Sequence, residues 1–212
     1  RDTMSTKESS INIYKERVFP VLFMLIVTAV FIAMVSGIYL ATRENVLRNE
    51  RLYLKRAVLF AADIRVPETN LEIEDLYNRS ISEKVDQDGQ IQYYEVTRGG
   101  SGIQGYVLPA VGPGLWGEIE AVVGYSVDLT ELTGIDFTKQ NETPGLGARI
   151  TEAWFRTQFR GKTGPFTRVP EGTEGEGTQE FDAITGATIT STAIQNILNK
   201  QLDAAARIVG RE

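Results

Sequence analysis

Between Val18 and Ala41 the chain carries no charged residue. The run Val18-Phe19-Pro20-Val21-Leu22-Phe23-Met24-Leu25-Ile26-Val27 continues through Phe31, Ile32, Met34 and Val35 to Tyr39 and Leu40. A helix needs about 20 apolar residues to cross the hydrocarbon core of a bilayer, and this stretch supplies them. Pro20 falls in the first turn, where its missing N–H costs no hydrogen bond. Two other uses of such a run are a cleaved signal peptide and a buried core helix. The run is too long for a signal h-region, and Ser36-Gly37-Ile38 is a poor cleavage site. A core helix with no charged residue is unusual in a domain this small. The reading is one membrane anchor. Lys7, Lys15 and Arg17 precede it, and Arg43, Arg48, Arg51, Lys55 and Arg56 follow it. The simple count of flanking positive charge puts the C-terminal part in the cytoplasm, but that rule weakens when a whole domain follows the span.

The anchor divides the 212 residues into a polar tail (1–17), the span (18–41), a connecting amphipathic helix (42–66) and one ordinary domain (67–212). In the connecting segment Val46, Tyr53, Leu54, Ala57, Val58 and Ala61 recur at helical spacing as far as Asp63, and Pro67 ends the pattern. A short helix is expected over Leu71–Tyr77. Strands over Ile81–Val85 and Ile91–Val96 flank Asp88-Gly89, a hairpin signal. Gly99-Gly100-Ser101-Gly102 reads as a turn. Strands follow over Ile103–Val111, Ile119–Val127 and Gly134–Thr138, then a helix over Ala148–Phe159. Residues 160–179, rich in Gly, Pro and Glu, read as loop with one strand near Phe166. A last helix runs from Thr192 to Val209, with Ile194, Ile197, Leu198, Leu202, Ala205, Ile208 and Val209 on its apolar face. Thr190, Ser191 and Thr192 are candidate N-caps. Strands and helices mixed without regular alternation give an α+β domain.

The residues present limit the chemistry. There are no cysteines and no histidines, which removes thiolate nucleophiles, disulfides, thiolate metal sites and the imidazole base. Redox work by this chain therefore needs a cofactor. A net charge of −6 argues against a nucleic-acid partner.

Three loops stand out. Asp182-Ala183-Ile184-Thr185-Gly186-Ala187-Thr188 leads into the last helix, where free amides and the helix dipole favour an anion. Gly186 and Ala187 leave little bulk beside the Thr188 hydroxyl. Gly112-Pro113-Gly114-Leu115-Trp116-Gly117 joins two strands. Glu142-Thr143-Pro144-Gly145-Leu146-Gly147 precedes a helix. Taken singly, these are a cap after a turn, a tight loop over an aromatic, and a Pro-Gly turn. Taken together, glycines let backbone approach a flat ring while Leu115, Trp116 and Leu146 cover apolar surface. The Thr143 hydroxyl and the Gly145 and Gly147 amides are placed to hydrogen-bond a polar edge.

In this order the loops resemble the FMN-binding subunits of respiratory ion pumps: the G subunit of the Rnf complex and the C subunit of the Na⁺-translocating NADH:quinone oxidoreductase. The last loop matches that family's Asp-x-x-Ser/Thr-Gly-Ala-Thr motif at Asp182, Thr185, Gly186, Ala187 and Thr188. The resemblance implies FMN joined to Thr188 through a phosphoester. It implies a pocket drawing on Leu115, Trp116, Glu142, Thr143, Gly145 and Leu146, with Asp182 serving the attachment. It also implies electron transfer beside other membrane subunits of a redox pump, a separate flavin transferase for maturation, and an extracytoplasmic FMN domain anchored in lipid. Chain length favours the Rnf side, and the Gly-Leu-Trp loop leans to the quinone oxidoreductase. The rival readings are a membrane-anchored binding or assembly module without a cofactor, and an FMN domain of another electron-transfer chain.

Overall fold

The structure is a computed structural model and describes residues 14–99, 102–173 and 177–210. Residues 1–13 of the expected polar tail lie outside the described residues, as do Gly100 and Ser101 of the expected turn. By its contacts the chain divides into two units, Arg1–Glu50 and Arg51–Glu212.

The first unit is helical. A π-helical turn over Tyr14–Val18 runs into α1, Phe19–Ala61. Val21, Met24, Leu25, Phe31, Ile32, Val35 and Leu40 are all more than half exposed. Apolar side chains presented all round a helix suit a lipid surround. The helix is long and apolar enough to cross a membrane. The expected span and connecting helix are one element without a break, because nothing between Ala41 and Ala61 stops a helix. α1 ends earlier than Pro67. Asp63 takes the left-handed conformation (φ 54), the Ile64 amide donates to Leu59 O and the Asp63 amide to Phe60 O, which is a Schellman ending.

The second unit is built on a five-stranded antiparallel meander. α2 (Asn70–Ser80), capped by the Thr69 hydroxyl, leads into β1 (Ile81–Val85), β2 (Ile91–Thr97), β3 (Ile103–Pro113), β4 (Glu118–Ser126) and β5 (Leu132–Lys139), in that spatial order. Asp88-Gly89 turns the first hairpin, with the Asp86 carboxylate accepting from the Asp88 and Gln90 amides. Successive side chains alternate between faces. Tyr94, Val96, Val107 and Val122 point to one face and pack with Ala57, Val58, Leu59, Ile73 and Tyr77 from the end of α1 and from α2. On that face Gly124 and Gly134 are paired across β4 and β5. A Cβ on Gly124 would lie only 1.9 Å from the Ala61 carbonyl oxygen, so backbone meets sheet where side chains are missing. The same carbonyl accepts from Thr133 Oγ1 at 2.6 Å, while Arg98 Nη2 donates to Ala62 O and Asp63 O. The open carbonyls at the helix end are thus satisfied.

The other face carries the larger core. Leu108, Ala110, Ile119, Ala121, Val123, Ile135 and Phe137 pack against Phe155, Phe159, Phe166, Phe181, Ile194, Ile197 and Leu198. The helix expected over Ala148–Phe159 is broken in two. A 3₁₀ segment, Gly147–Thr151, and α3, Ala153–Thr157, are separated by Glu152 in an extended conformation. The break lets Ile150, Phe155 and Phe159 all reach the core, which one straight helix of that spacing would not. β6 (Thr167–Val169) and β7 (Glu180–Asp182) form a small parallel pair. The strand expected near Phe166 is β6; β7, which holds Asp182, has no counterpart among the expected strands because three residues carry no readable period. α4 (Thr188–Val209) covers the sheet, held by Asn199 to both the amide and carbonyl of Phe166 and by Gln201 to Pro109 O. A left-handed Gly210 closes it.

Candidate functional site

Glu142 organises the three loops. It is buried, and its Oε1 accepts from the Leu115 amide at 2.8 Å and the Trp116 amide at 3.2 Å. Its Oε2 accepts from the Thr190 hydroxyl in the first turn of α4. One carboxylate therefore ties the Gly-Leu-Trp loop, its own loop and the start of the last helix. The packing around it needs glycine. A Cβ on Gly147 would fall 2.5 Å from Thr190 Oγ1, and one on Gly114 would fall 2.5 Å from Glu142 Oε1. Trp116 Nε1 donates to Thr143 Oγ1 at 3.0 Å, a second link between the first two loops. That hydroxyl, expected to face a ligand edge, is thus engaged by Trp116.

Where the loops meet there is a cleft of about 270 Å³, lined by Leu115, Glu142, Thr143, Leu146, Gly147 and residues 186–190. Its rim is apolar and open to solvent: Leu115, Leu146 and Ile189 are 47%, 42% and 58% exposed. Trp116 stands on the surface beside it rather than in its lining, and Gly145 sits in an exposed left-handed turn. Ile189 and Thr190 are lining residues that the expected site set lacked. Both follow Thr188 in the chain, which it contained.

The helix begins earlier than expected. α4 starts at Thr188 with Ala187 in the cap position, so no side chain caps its first amides. Thr190, Ser191 and Thr192 are not the caps. Each hydroxyl has other work inside the fold. Thr190 donates to Glu142. Ser191 Oγ accepts from the Ile184 amide and donates to Ala187 O, closing the turn before the helix. Thr192 donates back to Thr188 O. Thr190 and Ser191 are 1% and 0% exposed. Thr188 is exposed and lines the cleft.

The turn leading to Thr188 is anchored from outside. Gly186 holds φ 79, where a side chain is disfavoured, and a Cβ there would touch Leu146 at 3.0 Å. The Thr185 amide donates to Glu171 Oε2 at 2.7 Å. Glu171 is gripped two-fold by Arg149, Nη2 to Oε1 at 2.7 Å and Nη1 to Oε2 at 3.2 Å. The Arg149 bonds first, and the Thr185 bonds second, lower the Glu171 carboxyl to about 2. Asp182 is buried at the end of β7, outside the cleft lining. Its Oδ2 accepts from the Gly172 amide at 2.7 Å and its Oδ1 from Thr173 Oγ1 at 3.4 Å. Among the described residues no cluster of acidic side chains has the arrangement to hold a metal.

Comparison with known proteins places this arrangement. A family model described as the FMN-binding domain matches residues 114–203, a span that takes in the first loop from Gly114 and the other two whole. Over 193 residues the chain is 30% identical to the G subunit of the ion-translocating oxidoreductase complex of Methanosarcina acetivorans, covering 89% of this chain and 94% of that one. The chain belongs to this G-subunit family. A second member, the G subunit of the Na⁺-translocating ferredoxin:NAD⁺ oxidoreductase complex of Acetobacterium woodii, is 42% identical over 103 residues, about half of each chain. The crystal structure of the C subunit of the Na⁺-translocating NADH-quinone reductase from Parabacteroides distasonis superposes with a TM-score of 0.66 at 26% identity, covering 80% of this chain and 98% of that one. The G-subunit family thus shares its fold with the C subunit of the quinone reductase. The mixed α+β domain behind one long apolar helix is the fold expected from the sequence.

Proposed function

We propose that this chain is a membrane-anchored electron-transfer subunit of an ion-translocating oxidoreductase complex, carrying FMN as a phosphoester on Thr188. The observation that carries the reading is one exposed hydroxyl on an uncapped helix start, inside the cleft that the three loops build. Four hydroxyls compete in this stretch. Thr190 and Ser191 are buried and committed to hydrogen bonds, and Thr185, whose amide is held by Glu171, stands outside the cleft lining. Thr188 is left facing the cleft.

The residues suit the group. A phosphodiester on Thr188 would sit where the first amides of α4 and the helix dipole favour an anion. Leu115, Leu146 and Ile189 offer the apolar surface for a flat ring, with Trp116 alongside. Glu142 acts beneath that surface by fixing the loops. Gly145 and the other loop glycines leave space for close approach. Bound FMN supplies the one- and two-electron chemistry. The chain's part is to hold it, exclude water from one side of the cleft and keep it from diffusing away. Attachment replaces the Thr188 hydroxyl proton with the FMN phosphoryl group. Such a transfer would need a phosphoanhydride donor of the flavin dinucleotide class: its P–O–P bond would break, the nucleoside monophosphate would leave and the Thr188 proton would pass to a base of the transferase or to water. No nucleotide-hydrolysing motif occurs in the sequence, so a separate flavin transferase does this work. The other partners are the membrane subunits of the complex and the lipid around α1.

The domain lies on the extracytoplasmic side, against the simple count of flanking positive charge. A folded domain of this size translocates despite Arg43, Arg48 and Arg51. Protease added to spheroplasts should remove the domain, and protection until lysis would reverse the orientation. Intact mass of the denatured chain, flavin fluorescence in a denaturing gel and peptide mapping test the attachment. FMN mapped to Thr185 or Thr190 with Thr188 bare would overturn it. A chain from membranes that contain the transferase but with no added mass would favour the assembly-module reading.

A further inference from the structure

The motif residue Asp182 lies outside the cleft, so its connection to Thr188 has to run through other residues. The hydrogen bonds supply a continuous route. Asp182 holds the Gly172 amide, and the Thr173 hydroxyl, which lies 3.4 Å from Asp182, donates at short range to Pro170 O; together these bonds fix the turn that carries Glu171. Glu171 holds the Thr185 amide, one residue before the left-handed Gly186 and three before Thr188. Arg149 fixes the Glu171 carboxylate in a two-fold grip and is itself held by Glu152 at 3.3 Å and stacked over Trp154. On the inner side Ser191 holds Ile184. The acceptor turn is thus clasped from both sides, and the outer clasp consists of Glu171 and Arg149, which lie outside the motif.

We propose that Glu171, locked by Arg149, is the positioning residue for flavin attachment, and that Asp182 acts on Thr188 through Glu171 rather than at the reacting hydroxyl. This rests on the reading of Thr188 as the acceptor. Phosphoryl transfer is governed by placement of the attacking oxygen, and a misplacement of about 1 Å costs about a hundredfold. Holding the Thr185 amide fixes the Ile184–Thr185 peptide plane, where the turn that delivers Thr188 to the helix begins. The bond asks only for an acceptor oxygen at Glu171. It does not ask for a charge.

The test is attachment kinetics on the full-length chain, made without flavin, in detergent, with a purified flavin transferase and FAD. Incorporation is read by in-gel fluorescence and intact mass. E171A should lower the rate at saturating chain about tenfold or more while KM stays within about threefold, because recognition is intact and alignment is lost. E171Q keeps one acceptor oxygen toward Thr185 but turns its amide nitrogen to Arg149 Nη2, so its rate should lie between those of E171A and the wild type. The exchange R149E/E171R keeps an ion pair but turns a donor toward the Thr185 amide. It should recover melting temperature and stay slow. D182A combined with E171A should be no slower than the slower single variant, as expected for two links of one chain. A wild-type rate in E171A, a loss in E171Q as deep as in E171A, full recovery in the exchange, or multiplying effects of D182A and E171A would each overturn the proposal. Should the wild-type chain itself take up no FMN, or take it up elsewhere than Thr188, the acceptor assignment fails instead.

Discussion

The two faces of the sheet are held by different means. Toward the end of α1 a smaller apolar cluster is joined by backbone on sheet: Ala61 presses on the Gly124–Gly134 pair, and Tyr53 donates to Phe137 O at 3.0 Å. Charge is used here as fastening. Arg156 pairs with the buried Asp136 at 2.7 Å, and Arg156 and Arg160 both lie over the Phe60 ring. Toward α4 the contact is a large apolar core crossed by a few polar links, Asn199 to Phe166 and Gln201 to Pro109, with polar clusters around Glu142 and Glu171 at its edge. The contrast separates two tasks. One face seats the last turns of α1, within the second unit, and α2. The other surrenders some apolar packing at its rim to leave a cleft of about 270 Å³. Size does not mark function. A wider depression of about 660 Å³ lies between Asp63, Arg65, Arg79 and Arg98 on the first side, and none of the three loops reaches it.

If the division holds, substitutions on one face should change stability and leave attachment alone, while those at the cleft should do the reverse. The largest effect is expected for Thr188→Ala: covalent FMN falls to zero by intact mass. Stability changes by about 1 kcal/mol or less, since the residue is exposed at a helix start. Next comes Gly124→Val on the opposite face. Its side chain has no room against Ala61, and urea denaturation should show a loss of about 3 kcal/mol, with the surviving folded protein still flavinylated at Thr188. Normal stability in this variant would show that the end of α1 yields easily, and the contrast between the faces would weaken.

Glu142→Ala mixes the two behaviours, because it strips acceptors from the Leu115 and Trp116 amides and from Thr190. A loss of about 2 kcal/mol is expected, with faster hydrogen exchange at those two amides. The pH dependence of the outer clasp is smaller. The Glu171 carboxyl is depressed to about 2 in the folded chain, so its stabilisation is complete above the unfolded value and is lost as pH falls toward 2. Between about pH 4.5 and 2 the melting temperature should therefore drop more steeply in the wild type than in Glu171→Gln. The smallest change in stability belongs to Trp116→Ala, within about 0.5 kcal/mol for so exposed a side chain. Its sharper readout is optical: flavin emission should brighten once the neighbouring indole is gone.

Elements whose signals are local could be read from the residues alone. The uncharged run gave the long exposed helix, Asp88-Gly89 gave the hairpin, and alternation gave the strands within a residue or two of their ends. The order of the three loops pointed to one cleft and to the family. The folded chain shows which hydroxyls at the start of the last helix are tied up. Thr190, Ser191 and Thr192 look alike as caps in sequence. A buried carboxylate 48 residues away claims the first, and the closing of the turn claims the second. Long-range hydrogen bonds leave no periodic trace in a chain, so neither the work of Glu142 nor the Arg149–Glu171–Thr185 clasp was legible. The break at Glu152 was hidden for a related reason. The spacing of Ile150, Phe155 and Phe159 fits a helix loosely, and only the shape of the core requires the chain to bend there to bury all three. Local periodicity fixes which segments fold into which elements; the competition of polar groups for partners across the fold fixes which of them remain free for chemistry.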